Sequence, residues 1–525
     1  MDFSSHLLAI TGAVALLLLL CHRFFKARNQ NQKKKIPEGL APPEPPGAWP
    51  IIGHLHLLGS HKTLARTWAA MADRHGPIFS VLLGGHRAFV VNNSKLIREC
   101  LTKNDRVLAA RPKSSHGEYF SYNYSAFGFA SYGPCWRETR KLTVVQLLSG
   151  HRLKSQRQVL VSEVDSLVQD LYLLSCQEGK VVNMSEMLER FTLNIITRMI
   201  GGKRYFSSSG EHEEEGERIE KLMKDFMYVS GMFVPSDLIP FLGWMDYFPG
   251  PLRTIKKMAR ELDSLMEGWI KEHKSKRAEG ASDPVVEEED FIDVMLSVMD
   301  DHMFGHTRED IIKGTALTLI IAGADTTAIS LIWIISNMLN NRSAMEAAQQ
   351  ELDLKIGKER TVQDTDIDNL TYIQAIVKET LRLYPPGPVA VPHEAMEDCS
   401  IGGYHIPRGS RLFLNLWKLH RDPDTWKDPD EFLPERFLSD KADVDLLGKQ
   451  FELIPFGSGR RSCPGMALAL QVLHLAIARL LQGFEFDTPD GQSVDMSEGL
   501  GITLPKVTPL EVRIRPRLSP PIYNC

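Results

Sequence analysis

Cysteine is scarce here: seven in 525 residues, with no regular spacing and no Cys-x-x-Cys pair. Such a set does not make a disulfide framework in a chain this long. The clustered His and Cys of a structural zinc site are missing too. Reduced thiols in a cytosol-facing body fit better. Charge of one sign is also lacking. The formal net charge is -5, with no basic bias, which argues against nucleic acid as a partner. No internal repeat recurs. No Gly-x-Gly-x-x-Gly segment opens a Rossmann unit, so the chain brings no nicotinamide-binding module of its own. What remains is 43% hydrophobic and 24% charged residues, enough for a large core and wrong for disorder.

The N-terminus carries the one long apolar run, Leu7 to Cys21, extended by Phe24 and Phe25. It is close to the ~20 residues that span a bilayer. A secretory signal peptide would want positive charge ahead of the run and a small-residue cleavage site behind it. Instead Asp2 precedes it, while Arg23, Lys26, Arg28, Lys33, Lys34 and Lys35 follow. The balance favours an uncleaved anchor over residues 3–25, with the body kept cytosolic by the positive-inside rule. Residues 26–50 form a basic, proline-rich hinge ending in Pro42-Pro43-Glu44-Pro45-Pro46-Gly47-Ala48-Trp49-Pro50. Proline at this density predicts a stiff, extended connector.

Residues 51–525 are expected to form one catalytic domain. Short strand-like runs, Ile78 to Leu83 and Ala88 to Val91, precede a body that reads helical from about Trp136. Two charged stretches, Ser207 to Arg218 and Lys271 to Asp290, read as surface loops. Phe226 to Leu252 is apolar, aromatic and broken by prolines. Ordinary core is one reading of it, and a second membrane contact beside a channel for an apolar substrate is the other.

Chemistry concentrates in Phe456-Gly457-Ser458-Gly459-Arg460-Arg461-Ser462-Cys463-Pro464-Gly465. The glycines permit a tight, irregular loop whose amides can turn toward a sulfur. A helix predicted over Met466 to Leu481 adds its positive end, so Cys463 is placed to be a thiolate and to ligate a metal. Arg461 can pair with an anionic group, and Phe456 can cover one face of a flat cofactor. A buried free Cys in a turn is the competing reading for any lone cysteine. Further on, Glu379 and Arg382 share a helical face and can pair. Trp136 and Arg140 are likewise one turn apart. In the apolar helix predicted from Asp310 to Leu339, the run Ala322-Gly323-Ala324-Asp325-Thr326-Thr327 weakens the helix in mid-course.

Together these segments resemble the cytochromes P-450. The Cys463 segment matches that family's Phe-x-x-Gly-x-Arg-x-Cys-x-Gly signature at every fixed position. The other motifs fall in the family's order: Ala322–Thr327, Glu379-Thr380-Leu381-Arg382 and Pro434-Glu435-Arg436-Phe437. The resemblance implies a mainly α fold with a small β-rich region. It implies haem b held by Cys463 as axial ligand, with thiolate push favouring O–O cleavage. It further implies Asp325 and Thr326 as proton-delivering residues for oxygen activation, and Glu379, Arg382 and Arg436 as a core network. Trp136, Arg140 and His393 would bind the haem propionates, though a satisfied structural histidine remains open for His393. Electrons would come from NADPH through a separate flavoprotein, NADPH–cytochrome P-450 reductase, with cytochrome b5 as a further donor. The location would be the endoplasmic reticulum membrane, by a single pass.

Within that family, the proline hinge with Ile51-Ile52-Gly53 and the stretch Tyr404 to Gly409 resemble the plant group numbered eighty-two. Its members hydroxylate or demethylate flavones, alkaloids and terpenoids, and some lignan enzymes are similar. The expected substrate is thus a small apolar plant metabolite, oxidised with O2. Substrate contacts are expected from five segments. They are Ser114 to Phe129, Phe226 to Leu252, the helix around Thr318, Ile321 and Ala322, Val389 to Val391, and Gly501 to Leu504. Two alternatives stand beside this reading. One is a reductase-independent haem-thiolate isomerase or dehydratase, whose known examples tend to lack the threonine present here as Thr326. The other is a non-catalytic haem-binding scaffold.

Overall fold

The computed structural model describes residues 41–525 apart from 59–61, 178, 208–209, 211, 240–241, 245–249, 280–288 and 525, together with residues 11, 12 and 23. The expected anchor and the basic part of the hinge therefore lie almost wholly outside the described residues. In chain order the main helices are α1 (Leu64–His75), α2 (Pro134–Gln146), α3 (Arg157–Ser175), α4 (Met184–Gly201) and α5 (Glu213–Ser230). They continue with α6 (Pro251–Glu279), α7 (Arg308–Asn340), α8 (Thr371–Leu383) and α9 (Met466–Gly483).

Helix α7 organises the rest. Thr307 caps it by accepting from the Asp310 amide, and Glu309 and Asp310 meet the positive end of its dipole. Apolar residues surround it on all sides, the mark of a buried helix. An 18-residue window of α7 has mean hydropathy 1.8, yet 72% of it is buried inside the protein; for α9 the figures are 1.4 and 67%. Both are long and apolar enough to cross a membrane, and both are core helices here. At 1.5 Å per residue α7 runs for about 50 Å, packed by α4, α8 and α9. Gly323 permits the approach of α4, because a Cβ there would lie 3.1 Å from Ile196 Cδ1.

The β-rich region is small. A four-stranded sheet contains β1 (Ile78–Leu83), β2 (His86–Val91), β4 (His393–Glu394) and β5 (Arg411–Leu414), in the order β1-β2-β5-β4. β1 and β2 form an antiparallel hairpin, β5 runs parallel to β2, and β4 is antiparallel to β5 with His393 opposite Leu412. A second sheet joins β3 (Val182–Asn183), β6 (Phe484–Asp487) and β7 (Glu511–Pro516).

Three sequence expectations change. The first charged stretch is helical from Glu213 onward: Glu213, Glu214 and Glu215 sit in the first turn of α5, and Glu213 reaches Arg190 on α4 at 3.3 Å. The second is helical up to Glu279, because Trp269, Ile270 and His273 bury one face of α6. Charge marked solvated helix faces there, not loops. The hinge boundary at residue 50 also shifts. Pro42 and Pro45 are buried, the Ser80 amide donates to the Pro43 carbonyl at 2.7 Å, and His54 Nε2 donates to the Pro45 carbonyl at 2.9 Å. The end of the proline run is part of the folded body.

Candidate active site

A cavity of about 780 Å³ lies between α7 and the Cys463 loop, within the range usual for small-molecule sites, about 300–1,000 Å³. Its wall includes Trp136, Arg140, Thr326, His393, Phe456, Arg461 and Cys463. The structure thus gathers onto one surface seven residues spread over more than three hundred positions. Asp325 does not reach that surface, and Glu379, Arg382 and Arg436 lie away from it.

The Cys463 loop is built by local geometry. Gly457 and Gly459 take φ of 70° and 69°, the left-handed region where a side chain is strained. A Cβ on Gly459 would also collide with Asp105 Oδ1 at 2.6 Å. The Cys463 amide donates to the Phe456 carbonyl at 2.8 Å and closes the loop. Burial pushes the Cys463 thiol up, while the amides of Gly465 and Met466 at the start of α9 and the nearby Arg140 pull it down. The residue is exposed and lines the cavity.

Around one edge of the cavity stands a group of cations. Arg461 donates to the carbonyls of Ala109, Phe127 and Ala130 at 2.8, 3.1 and 2.6 Å and lies over the Trp136 ring at 4.7 Å. Arg140 covers the same ring at 5.5 Å and donates to the Ser462 carbonyl at 2.6 Å. Arg111 donates to the carbonyls of Val391 and Pro392 at 2.6 and 2.8 Å. Desolvation first, then the charges of Arg111 and Arg140, lower Arg461 to about 8. Desolvation, then Arg140, brings Arg111 to about 10. No carboxylate among the described residues offsets either shift. His393 Nδ1 lies 2.7 Å from the Leu108 carbonyl. Burial and then the two arginines hold His393 down at about 3, so it is neutral and donates through Nδ1. Its Nε2 is left as an acceptor; an anion arriving there would raise the proton affinity of the ring and favour uptake of a proton from solvent, turning Nε2 into a donor. The buried Trp136 Nε1 has no partner. Uncompensated cations, an orphaned indole N–H and a thiol in one cavity fit a flat group bearing carboxylates and a metal. Sequence reasoning missed Arg111, which carries no motif and is brought in by tertiary approach.

The opposite wall is α7. Expected to weaken at Gly323–Thr327, the helix instead runs unbroken from Arg308 to Asn340. The Thr326 hydroxyl donates to the Ala322 carbonyl at 2.6 Å, so it presents its oxygen to the cavity as an acceptor. Behind it, burial raises the Asp325 carboxyl to about 7; the nearby Thr503 opposes the rise, Glu189 adds to it and Lys224 reduces it. Asp325 Oδ2 is buried without a partner.

Substrate-facing segments divide unevenly. Phe120, Phe127, Gly128 and Phe129 line the cavity, but Tyr119, Tyr122 and Tyr124 do not. The Tyr122 hydroxyl donates to Asp263 Oδ1 at 2.9 Å and that of Tyr124 to the Ser114 carbonyl at 2.8 Å. These bonds hold Tyr122, Asn123 and Tyr124 at φ of 47°, 55° and 64°, a left-handed turn without glycine. Thr318, Ile321, Ala322, Val389 to Val391 and Gly501 to Leu504 all reach the cavity. From the Phe226 to Leu252 stretch, Phe226–Met227–Tyr228 and Ser230–Val234 do so, with Asp237 and Leu238. In that stretch Tyr228, Phe233 and Trp244 are exposed.

The core network is closed. Arg382 grips Glu379 with two bonds of 2.8 Å, both side chains fully buried, and Arg436 Nε reaches Glu379 Oε1 at 3.2 Å. Remaining guanidinium donors go to the carbonyls of His420, Lys427 and Glu431. His420 Nε2 in turn accepts the Ile454 amide at 3.0 Å, two residues before Phe456. The network thereby fixes the approach to the Cys463 loop.

A mainly helical body with a cavity held between one long core helix and a cysteine loop defines the haem-thiolate class of oxidoreductases. The cytochrome P-450 family model matches residues 42–510, and the chain belongs to that family. It is 46% identical over 505 residues to a xanthotoxin 5-hydroxylase of Arabidopsis thaliana, covering 94% of this chain and 96% of the relative. It is 42% identical over 522 residues to a nicotine N-demethylase of Nicotiana tabacum, covering 98% and 99%. Both relatives carry the plant family number eighty-two. Among solved structures, a zebra fish cytochrome P-450 with progesterone superposes with a TM-score of 0.73 at 27% identity, over 87% of this chain and 100% of that one. The chain is therefore a plant-type monooxygenase whose family implies a haem-thiolate cofactor, O2 and a redox partner.

Proposed function

We propose that the protein inserts one oxygen atom of O2 into a small apolar plant metabolite, a flavonoid, alkaloid, terpenoid or lignan. The overall balance is R–H + O2 + NADPH + H+ giving R–OH + H2O + NADP+. Electrons pass from NADPH through NADPH–cytochrome P-450 reductase, docked on the basic face beside the Cys463 loop, with cytochrome b5 as a second donor. Relatives named as a hydroxylase and an N-demethylase support a carbon–hydrogen oxidation that ends in an alcohol or in loss of a methyl group.

In this reading Cys463 would hold the iron of haem b in the cavity. The haem, when bound, supplies the oxygen-activating chemistry. The protein does the rest. Arg461, Arg140, His393 and Trp136 Nε1 hold the propionates, with Arg111 behind them, and Phe456 covers one face. Cys463 stays anionic through the amides that start α9. Thr326 offers its hydroxyl to the oxygen side, and Asp325 supplies a proton from behind α7. Glu379, Arg382 and Arg436 hold the loop in place. The apolar wall excludes water and orients an apolar substrate. The body, residues 51–525 with the docked end of the hinge, sits on the cytosolic side of the endoplasmic reticulum membrane behind a single anchor over residues 3–25. The apolar N-terminal run and the exposed Tyr228, Phe233 and Trp244 support that placement.

One observation carries the proposal: a cavity-facing thiol with an uncompensated cation cluster beside it. The carbon monoxide difference spectrum of the reduced protein tests it. A strongly red-shifted Soret band is expected in the parent and should vanish or move to the histidine-like position in Cys463→Ser or Cys463→His. Well-folded parent protein without any haem spectrum would sink the reading.

A further inference from the structure

One polar ring stands in the aromatic wall of the cavity. His116 lies on the short helix Ser115–Phe120, is 8% exposed and lines the cavity. Phe120, Phe127, Phe129, Phe226 and Phe233 line it too. The Phe120 ring centre is 6.1 Å from that of His116 and 4.6 Å from that of Phe226, which it meets edge to face. The helix that carries His116 is pinned. Ser114 Oγ accepts the Gly117 amide at 3.2 Å, and the Asp237 carboxylate accepts the Ser115 amide and hydroxyl at 2.9 and 2.7 Å. The ring is pinned as well, because His116 Nε2 lies 3.2 Å from the Val229 carbonyl in the last turn of α5. A carbonyl only accepts, so Nε2 carries the proton. Burial holds His116 below the usual histidine range, with the Val229 bond and Asp237 opposing, so the ring is neutral at pH 7. Nδ1 is then a lone-pair acceptor, and among the described residues nothing donates to it.

We propose that His116 sets substrate specificity: its Nδ1 accepts a hydrogen bond from a phenolic hydroxyl on an aromatic substrate lying against Phe120 and Phe226. This deepens the reading of the cavity as a substrate site and rests on it. The aromatic wall favours a flat ring through edge and offset-stacked contacts. A pocket of this kind fixes the pose of its ligand with a few polar groups. A neutral imidazole whose one proton is committed to a carbonyl asks for a donor. A phenol supplies it. A methyl ether in the same place supplies none and leaves Nδ1 covered and unpaired, which costs free energy. Discrimination between hydroxyl and ether therefore needs no charge. The two clamps strengthen it: a polar group fixed before the substrate arrives loses no freedom on binding, so its hydrogen bond counts nearly in full.

The test measures binding of a matched pair of probes, 2-naphthol and 2-methoxynaphthalene, by equilibrium dialysis against the full-length haem protein. The parent should hold 2-naphthol about fivefold more tightly, as expected for one hydrogen bond. Two variants separate recognition from structure. His116→Gln keeps an amide N–H that can reach the Val229 carbonyl and removes the acceptor at the Nδ1 position. His116→Asn keeps an acceptor near that position and gives up the reach to Val229. The preference should vanish in His116→Gln and survive in His116→Asn. The reverse pattern overturns the proposal, because it makes His116 only a clamp on α5. A parent that binds both probes equally, or neither, overturns it as well, as does a preference kept in both variants or lost in both. The carbon monoxide spectrum, taken on each protein, tests the haem reading alone. A protein with the red-shifted band and no preference for the phenol therefore fails this inference and leaves that reading standing.

Discussion

Two buried clusters use the same side chains to opposite ends. Around Glu379, two arginines share one carboxylate, and their remaining donors are spent on backbone carbonyls. Around Trp136, Arg111, Arg140 and Arg461 also reach carbonyls, but no acid among the described residues answers them, and Arg111 and Arg461 are driven below the usual arginine range. The first cluster is complete without help. The second has positive charge left over and an indole N–H unused. A buried guanidinium says little by itself; whether its charge is matched inside the chain separates a structural site from a site for an anion.

The comparison can be broken at its strongest point first. Glu379→Ala leaves two buried guanidinium groups unmatched and should cost on the order of 3–5 kcal/mol. Denaturant unfolding would measure this, with little soluble haem protein recovered. Arg461→Leu should behave differently. It relieves repulsion with Arg111 and Arg140 but strands the carbonyls of Ala109, Phe127 and Ala130, so the haem-free protein should lose less than in Glu379→Ala, about 1–3 kcal/mol, while haem is released many times faster. Equal destabilisation of haem-free and haem-bound protein would erase the distinction between the clusters. The smallest effect concerns Asp325, whose Oδ2 is buried without a partner. Burial holds Asp325 at about 7, so it carries its proton below that pH and loses it above. Product per NADPH should therefore decline as pH rises through about 7, and the dependence should flatten in Asp325→Asn.

The legible parts of the site were those whose partners lie close in sequence. Phe456 and Cys463 belong to one loop. Glu379 and Arg382 are one helical turn apart, and Arg436 was placed by resemblance. Long α7 and α9 followed from their apolar patterning, although Gly323 to Thr327 had suggested a weak point in α7. Arg111 was invisible because its company arrives from residues 391 and 392. Charge misled at residues 213–218 and 271–279, since a solvated helix face and a polar loop share a composition, and only the buried Trp269 and Ile270 decide between them. Aromatic residues before Phe129 read as cavity wall, yet the phenols of Tyr122 and Tyr124 work on the backbone.

Those phenols give the wall a mechanical character. Three consecutive left-handed residues without glycine cost on the order of 1–3 kcal/mol each, and two hydroxyl groups keep them there. The segment behaves as a loaded spring with a two-point latch, beside the aromatic side of the cavity. Tyr122 also packs on Gly314 and Lys313 of α7, so the latch ties this turn to α6 and α7 together.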